Sequence, residues 1–148
     1  MSKLTVNEST GDFTHVIVLD TDDIIAAGTT ATAFATIPAG GGVDLCGVYE
    51  AEALSPGSDL TIDVGTTEGD PDEFINALDL DATVGPTFNS GENFVQAAGN
   101  TTIAGGSKPV STTNNSFTVY YKFGGSVSSL TAGKIVIGLR IMDLSRFA

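Results

Sequence analysis

The chain has 148 residues, of which 41% are hydrophobic and only 16% are charged, a composition that indicates a folded domain because disordered chains combine low hydrophobicity with high charge. Eighteen acidic and six basic residues give a net charge of −12, and we expect no binding to nucleic acid because that affinity rests on Lys and Arg. No apolar run approaches the roughly 18–20 residues of a membrane-spanning helix, and the first residues lack the apolar stretch of a signal peptide, so we expect neither a membrane anchor nor a leader.

Alternating apolar and polar residues, broken by Gly, Pro, Asn and Ser, predict a succession of β-strands. The first is apolar enough at its end to be buried on both faces. The last places Ile135 and Ile137 on one face, and Val136 and Gly138 on the other. The predicted strands cover residues 13–19, 29–37, 45–53, 60–64, 94–97, 117–123 and 134–144.

One short helix is predicted to begin near residue 70. Asp70 suits the N-cap, Pro71 suits the first helical position, and Glu73 completes a capping box. Phe74 and Leu78, four residues apart, would share a face of this helix.

Together these elements predict an all-β fold, a jelly-roll-like β-sandwich of about seven or eight strands with one short helix. Residues 1–12 are polar and predict an irregular N-terminal arm, whereas residues 13–148 predict a single sandwich domain.

The charge is unevenly distributed along the chain. Residues 1–107 carry a net charge of −16, whereas residues 108–148 carry +4. Either the late strands pair with acidic earlier strands within one fold, or the basic end faces an acidic partner.

Candidate catalytic residues are few. Cys46 lies in an apolar run without a basic neighbour, which favours a small buried hydrophobic residue over a reactive thiol. His15 has no G-x-S-x-G motif to complement it, and one Cys with one His cannot form a zinc site of the Cys/His type. The chain has no Trp to hold a sugar ring between paired carboxylates. We therefore expect no enzymatic activity and no cofactor.

Two acidic clusters leave calcium binding open. Carboxylates at residues 20–23 and 79–81 are of the type that calcium prefers, although neither matches an EF-hand loop. Solvated turns explain the same residues.

Several short runs occur in a recognisable order along the chain. They are Ile-Pro-Ala-Gly at 37–40, Leu-Thr-Ile-Asp-Val-Gly at 60–65, Pro-Asp-Glu-Phe-Ile-Asn-Ala at 71–77 and Leu-Thr-Ala-Gly-Lys at 130–134. In this order, over about residues 13–144, the chain resembles the capsid decoration (cement) proteins of tailed bacteriophages, especially those of podoviruses and cyanophages.

The resemblance implies a jelly-roll β-sandwich that lies on the outer capsid of the virion after synthesis in the host cytoplasm. The expected partners are further copies in a homotrimer and the major capsid protein, with neither nucleic acid nor membrane. It implies no catalytic residues and no cofactor.

We expect contacts with these partners through apolar strand faces, through basic side chains and through the arm at 1–12. The candidate contact residues are Val16, Val18, Lys122, Lys134, Ile135, Ile137, Arg140 and Arg146.

Two alternatives stay open. A receptor-binding or carbohydrate-binding domain of a head fibre or tail would also be an acidic β-sandwich, and it requires exposed aromatic side chains, for which Tyr49, Tyr120 and Tyr121 are available. A neck or tail component of the same virion would differ in copy number.

Overall fold

A computed structural model describes residues 2–5, 13–56, 58–81, 85–91, 110–111, 116–143 and 147. Within these ranges, ten strands form two antiparallel sheets that pack as a β-sandwich, and one α-helix and one short 3-10 helix accompany them. The prediction of an all-β sandwich with a short helix is confirmed.

The larger sheet has six strands. They are β1 (Ser2–Thr5), β2 (His15–Asp20), β4 (Gly41–Ser55), β7 (Thr87–Phe88), β8 (Val110–Ser111) and β10 (Ala132–Asp143). The smaller sheet has four strands, which are β3 (Thr32–Ile37), β5 (Thr61–Gly65), β6 (Ile75–Asp79) and β9 (Phe117–Gly124). The α-helix is α1 (Thr21–Ala27), and the 3-10 helix is Val127–Ser129.

The strand order is that of a jelly roll. The six-stranded sheet runs β1-β2-β10-β4-β7, with β8 also pairing β4, and the four-stranded sheet runs β3-β9-β5-β6. From β2 to β5, each strand pairs with a later strand in reverse order, as in a long hairpin that has been rolled up. The pairs are β2–β10, β3–β9, β4–β7 and β5–β6. This winding leaves β10 at the centre of the larger sheet, between β2 and β4.

The core lies between the two sheets and follows the alternation of the strands. On β9, Val119, Tyr121 and Phe123 are buried, as the sequence predicts. The larger sheet contributes core side chains that include Ile17, Leu19, Val43, Cys46, Val48, Ile135, Ile137 and Leu139.

Six of the predicted strands are confirmed, as β2, β3, β4, β5, β9 and β10, with two differences, whereas β1, β6, β7 and β8 were not predicted. The strand predicted at 45–53 extends over Gly41–Ser55 as β4. In β3 a register shift between Ala33 and Ala35 interrupts the alternation, so that neighbouring Phe34 and Ala35 are both buried. The strand predicted at 94–97 lies outside the described residues.

The prediction of a helix at Asp70 is wrong, because Glu73 makes other contacts. Its carboxylate accepts the Thr66 backbone N–H at 2.7 Å and the Thr67 hydroxyl, which closes the loop between β5 and β6. The Phe74 N–H donates to the Val64 carbonyl at 2.9 Å, so the chain continues into a sheet rather than a helical turn.

The helix instead follows β2, in a segment that the sequence assigned to a turn. Asp20 is the N-cap of α1, its carboxylate accepts the Asp23 N–H at 3.0 Å, and the Asp23 carboxylate accepts the Asp20 N–H at 3.2 Å. Aspartate at both positions forms a reciprocal capping box. Among the described residues, no helix is long and apolar enough to cross a membrane.

The N-terminal arm is not irregular throughout. Ser2–Thr5 forms β1, which pairs antiparallel with β2 and places Ser2 opposite Val18 and Thr5 opposite His15. Residues 6–12 lie outside the described residues.

Candidate interaction surface

The outer face of the six-stranded sheet is apolar at its centre. On β10, Ile135 and Ile137 point into the core, so Val136 and Gly138 point outward. An antiparallel sheet usually has one face on the core and one polar face toward water. At its centre, this sheet is apolar on both faces.

Strand register assembles the outward residues into two rows. Val136 lies opposite Val18 of β2 on one side and opposite Tyr49 of β4 on the other. In the next row, Gly138 lies between Val16 and Gly47.

Two phenylalanine rings lie over the paired glycines. The rings of Phe13 and Phe88 stack with centroids 6.3 Å apart and planes at 16°. A Cβ added at Gly138 would lie 2.6 Å from a ring carbon of Phe13, and one added at Gly47 would lie 2.7 Å from a ring carbon of Phe88. Only glycine leaves room for both rings against the backbone of the sheet.

Backbone anchors next to the two rings hold them in place. Thr14 donates its N–H to the Leu139 carbonyl, and its Oγ1 accepts the Ile141 N–H at 2.9 Å, which fixes the chain beside Phe13. Asn89 donates its N–H to the Cys46 carbonyl, and its Oδ1 accepts the Cys46 N–H at 2.8 Å, which fixes the chain beside Phe88.

A shallow groove of about 470 Å³ runs across this surface. Tyr49 and Phe88 remain 46% and 50% exposed beside it. We call the surface the outer apolar face, defined by the side chains of Phe13, Val16, Val18, Tyr49, Phe88 and Val136 over the backbone of Gly47 and Gly138.

Charged residues border the outer apolar face at both ends of β10. At one end, exposed Lys134 lies in register between Asp20 and Glu52. At the other end, Arg140 binds Asp44 through two hydrogen bonds, Nε to Oδ1 at 2.8 Å and Nη2 to Oδ2 at 2.9 Å. The first border carries one unbalanced negative charge, whereas the second is neutral.

Among the predicted contact residues, the structure brings Val16 and Val18 together on the outer apolar face, with Lys134 and Arg140 at its borders. Lys122 lies on the other sheet, on β9, and donates to the Gly69 carbonyl at 3.1 Å.

The placement of Ile135 and Ile137 on a contact surface is wrong. Both side chains are fully buried between the sheets, because the inward face of β10 is the more strongly hydrophobic one. Arg146 lies outside the described residues.

The cysteine and the histidine both lie on strands of the six-stranded sheet. Cys46 is fully buried, and burial raises the pKa of its thiol above the usual value. His15 is the first residue of β2, and its Nδ1 lies 3.0 Å from the Thr14 hydroxyl.

The acidic clusters considered for calcium contact backbone donors. Asp20 and Asp23 cap α1. The Asp81 carboxylate accepts the N–H of Asp59 at 2.7 Å and of Leu60 at 2.6 Å. Within the described ranges, no three His, Cys, Asp or Glu side chains group as metal ligands.

A second groove, of about 480 Å³, lies between α1 and β3. Its polar wall includes Asp23, Thr32 and Tyr121, and burial raises the pKa of the Tyr121 phenol. Because Asp23 caps the helix and Tyr121 lies in the core, these groups have structural roles.

Comparisons with known proteins found no match to a protein family, to a curated protein or to a solved structure.

The sequence indicated only part of the outer apolar face. The end of the first predicted strand is apolar at consecutive positions, which predicts burial on both faces, and in β2 the neighbouring Val16 and Ile17 are both buried. Phe13, Phe88 and the glycine pair were missed, because residues distant in the chain meet only after strand pairing.

Proposed function

We propose that this chain is a non-enzymatic structural protein of a tailed-phage virion, a capsid decoration protein that binds the outside of the assembled head and stabilises it. The observation that carries the proposal is the outer apolar face, which leaves Tyr49 and Phe88 about half exposed beside the partly buried Val136 at the centre of the six-stranded sheet. Contiguous exposed apolar surface of this kind is typical of protein–protein interaction sites.

The contrast between the two sheets supports a role in binding through one side of the sandwich. The outer face of the four-stranded sheet has the polar residues that water favours, with Asp63 opposite Lys122 and Thr61 opposite Gly124. An ordinary sandwich would be polar on both outer faces. The six-stranded sheet departs from this rule where we place the contact.

Decoration would stabilise a shell by mass action. A protein that binds the assembled shell and not its separate subunits lowers the free energy of the assembled state. Full burial of one large apolar side chain contributes about 1.5–3 kcal/mol, so a few partly exposed residues suffice for a useful contact when each shell offers many sites.

The proposed partners are the major capsid protein and further copies of this chain in a homotrimer. The resemblance described above supplies this pairing, and the outer apolar face, bordered by charged residues at both ends of β10, offers a surface for such a contact.

The proposal is tested by adding the purified protein to phage heads that lack it. We expect hundreds of bound copies per head and a higher temperature of genome release. Tyr49→Ser and Val136→Ser should reduce both, whereas Ile25→Ser, which changes an exposed apolar residue on α1, should not. Unaltered release temperature at full occupancy would refute decoration.

The two alternatives give different outcomes in the same material. About a dozen copies per particle would assign the protein to the neck or tail. Binding to a glycan array, together with loss of binding in Tyr49→Ser, would favour a carbohydrate-binding domain, because exposed aromatic rings stack on sugars.

A further inference from the structure

We infer that the outer apolar face binds a short segment of a partner protein, with two or three apolar side chains in the groove and Lys or Arg at the end next to Asp20 and Glu52. This inference rests on the proposed function and states the chemistry of the segment that the capsid surface would present.

The dimensions of the face favour a segment over a second copy of the sheet. Its charged borders, Lys134 and Arg140, are six residues apart on β10, which corresponds to roughly 20 Å along the strand. Four strands span about 14–19 Å across it. The area is therefore roughly 300–400 Å², at most half of the ~800 Å² that each partner buries in a stable complex.

Charge also disfavours pairing of this face with itself. Each copy carries a net charge of −12, and face-to-face packing would bring two acidic molecules together over a small apolar contact. A segment of a larger partner avoids this repulsion and leaves the rest of that partner to supply further contacts.

The lining of the groove selects apolar side chains. Phe13, Val16, Val136 and the ring of Phe88 face a volume of about 470 Å³, within the range of ~300–1,000 Å³ that ligand pockets occupy. A sugar would need several polar partners here, whereas the rim offers chiefly the Tyr49 hydroxyl.

The border charges orient the segment. Arg140 is already paired with Asp44, so that border is neutral. Lys134 lies in register between Asp20 and Glu52, so this border has one negative charge in excess. A basic residue of the segment fits only at this end.

The experiment is selection of a random peptide library displayed on a carrier, with the full-length protein immobilised. We expect enriched peptides to combine two or three apolar residues with Lys or Arg on one side. Anisotropy measurements with a labelled selected peptide should show about tenfold weaker binding to Tyr49→Ser and to Val136→Ser, and binding within about twofold of wild type for Ile25→Ser.

Charge reversal tests the orientation. Glu52→Lys should weaken binding of the peptide up to about fivefold. Glu68→Lys makes the same charge change at an exposed site in the loop after β5 and should leave binding unchanged. Thermal melts of each variant establish that it is folded.

Three results would overturn the inference. They are enrichment of polar or acidic peptides, absence of any enriched sequence, and equal binding by the Tyr49 and Ile25 variants. Concentration-dependent dimerisation that Tyr49→Ser abolishes would identify a second copy as the occupant instead. If heads bind the protein while no peptide is enriched, the inference fails and the proposed function stands; if peptides bind and heads do not, the proposed function fails.

Discussion

Several carboxylates in this protein accept backbone N–H groups, both in loops and within strand β4. The Glu73 carboxylate accepts the Thr66 N–H, and the Asp81 carboxylate accepts the Leu60 N–H. The carboxylate of the buried Glu50 accepts the Leu54 N–H at 2.9 Å. Hydrogen bonds to charged groups are stronger than those between neutral groups. Much of the negative charge of the chain therefore has a local structural role, which counts of acidic residues do not reveal.

Asp63 gives a pH-dependent prediction. Partial burial raises its pKa above the usual 3.8, with nearby Asp70 acting in the same direction, while the Ala77 N–H and Lys122 oppose the shift. The folded protein thus binds this proton more tightly than the unfolded chain. The resulting stability is complete below the unfolded pKa and is lost as the pH rises through the folded pKa.

We therefore expect Asp63→Asn to raise the melting temperature at pH 7, where the ionised carboxylate is unfavourable, and to have little effect near pH 3. The amide oxygen can still accept the Ala77 N–H. Thermal melts between pH 3 and pH 8 measure this, with the exposed Glu68→Gln as control. A larger increase in melting temperature at pH 3 than at pH 7 would contradict the predicted direction of the pH dependence.

Cys46 should be chemically inert in the native protein. Its thiol is fully buried and its pKa is raised by burial, so both access and thiolate formation are suppressed. We expect Ellman's reagent to react at pH 8 only at the rate of unfolding, and rapidly in denaturant. Immediate reaction of the native protein would show that the centre of β4 is open.

At the scale of elements, the helix shows where local sequence is ambiguous. Asp70 with Glu73 and Asp20 with Asp23 both have capping spacing, but only the second pair caps a helix. The choice depends on Phe74, which is buried and whose N–H extends the pairing with Val64. Tertiary pairing outweighs a local signal here.

The cap of α1 gives the second stability prediction. Asp20→Ala removes the acceptor for the Asp23 N–H, and we expect a loss of about 1 kcal/mol in the free energy of unfolding. Asp22→Ala, in the first turn but outside the capping box, should cost only a few tenths of a kcal/mol. If urea denaturation shows the same loss of unfolding free energy for both variants, the cap itself contributes nothing to stability.

The strands were more predictable than the helix because alternation is a local signal. The limits of the prediction lie at irregular positions, such as the register shift in β3. For the candidate site, alternation separated Ile135 and Ile137 from Val136 and Gly138, but could not decide which set faces the core. That depends on the opposite sheet, whose Val119 and Phe123 belong to the same buried core as the two isoleucines.

At the scale of the whole molecule, strand order was beyond what the sequence could predict. Gly47 and Gly138 are adjacent across β4 and β10, although 90 residues separate them. Nothing near either glycine in the sequence indicates its partner. Many short strands were enough to predict the jelly-roll class. The glycine pair beneath Phe13 and Phe88 depends on the order in which the strands pair.

Net charge predicts how the whole molecule responds to salt. With eighteen acids and six bases, the folded state suffers repulsion between carboxylates at neutral pH. We expect the melting temperature to rise when sodium chloride increases from about 10 mM to about 200 mM, because the screening length shortens from roughly 30 Å to below 10 Å. A lower melting temperature at the higher salt concentration would mean that attractive ion pairs such as Arg140–Asp44 dominate.

The central position of β10 has a consequence for biosynthesis. Every other described strand precedes β10 in the chain, yet β2 and β4 are joined only through it. A nascent polypeptide on the ribosome therefore cannot complete the larger sheet until β10 has been translated. The surface formed across β2, β10 and β4 appears only at that moment, so unfinished chains lack it and cannot compete with mature protein for a binding partner.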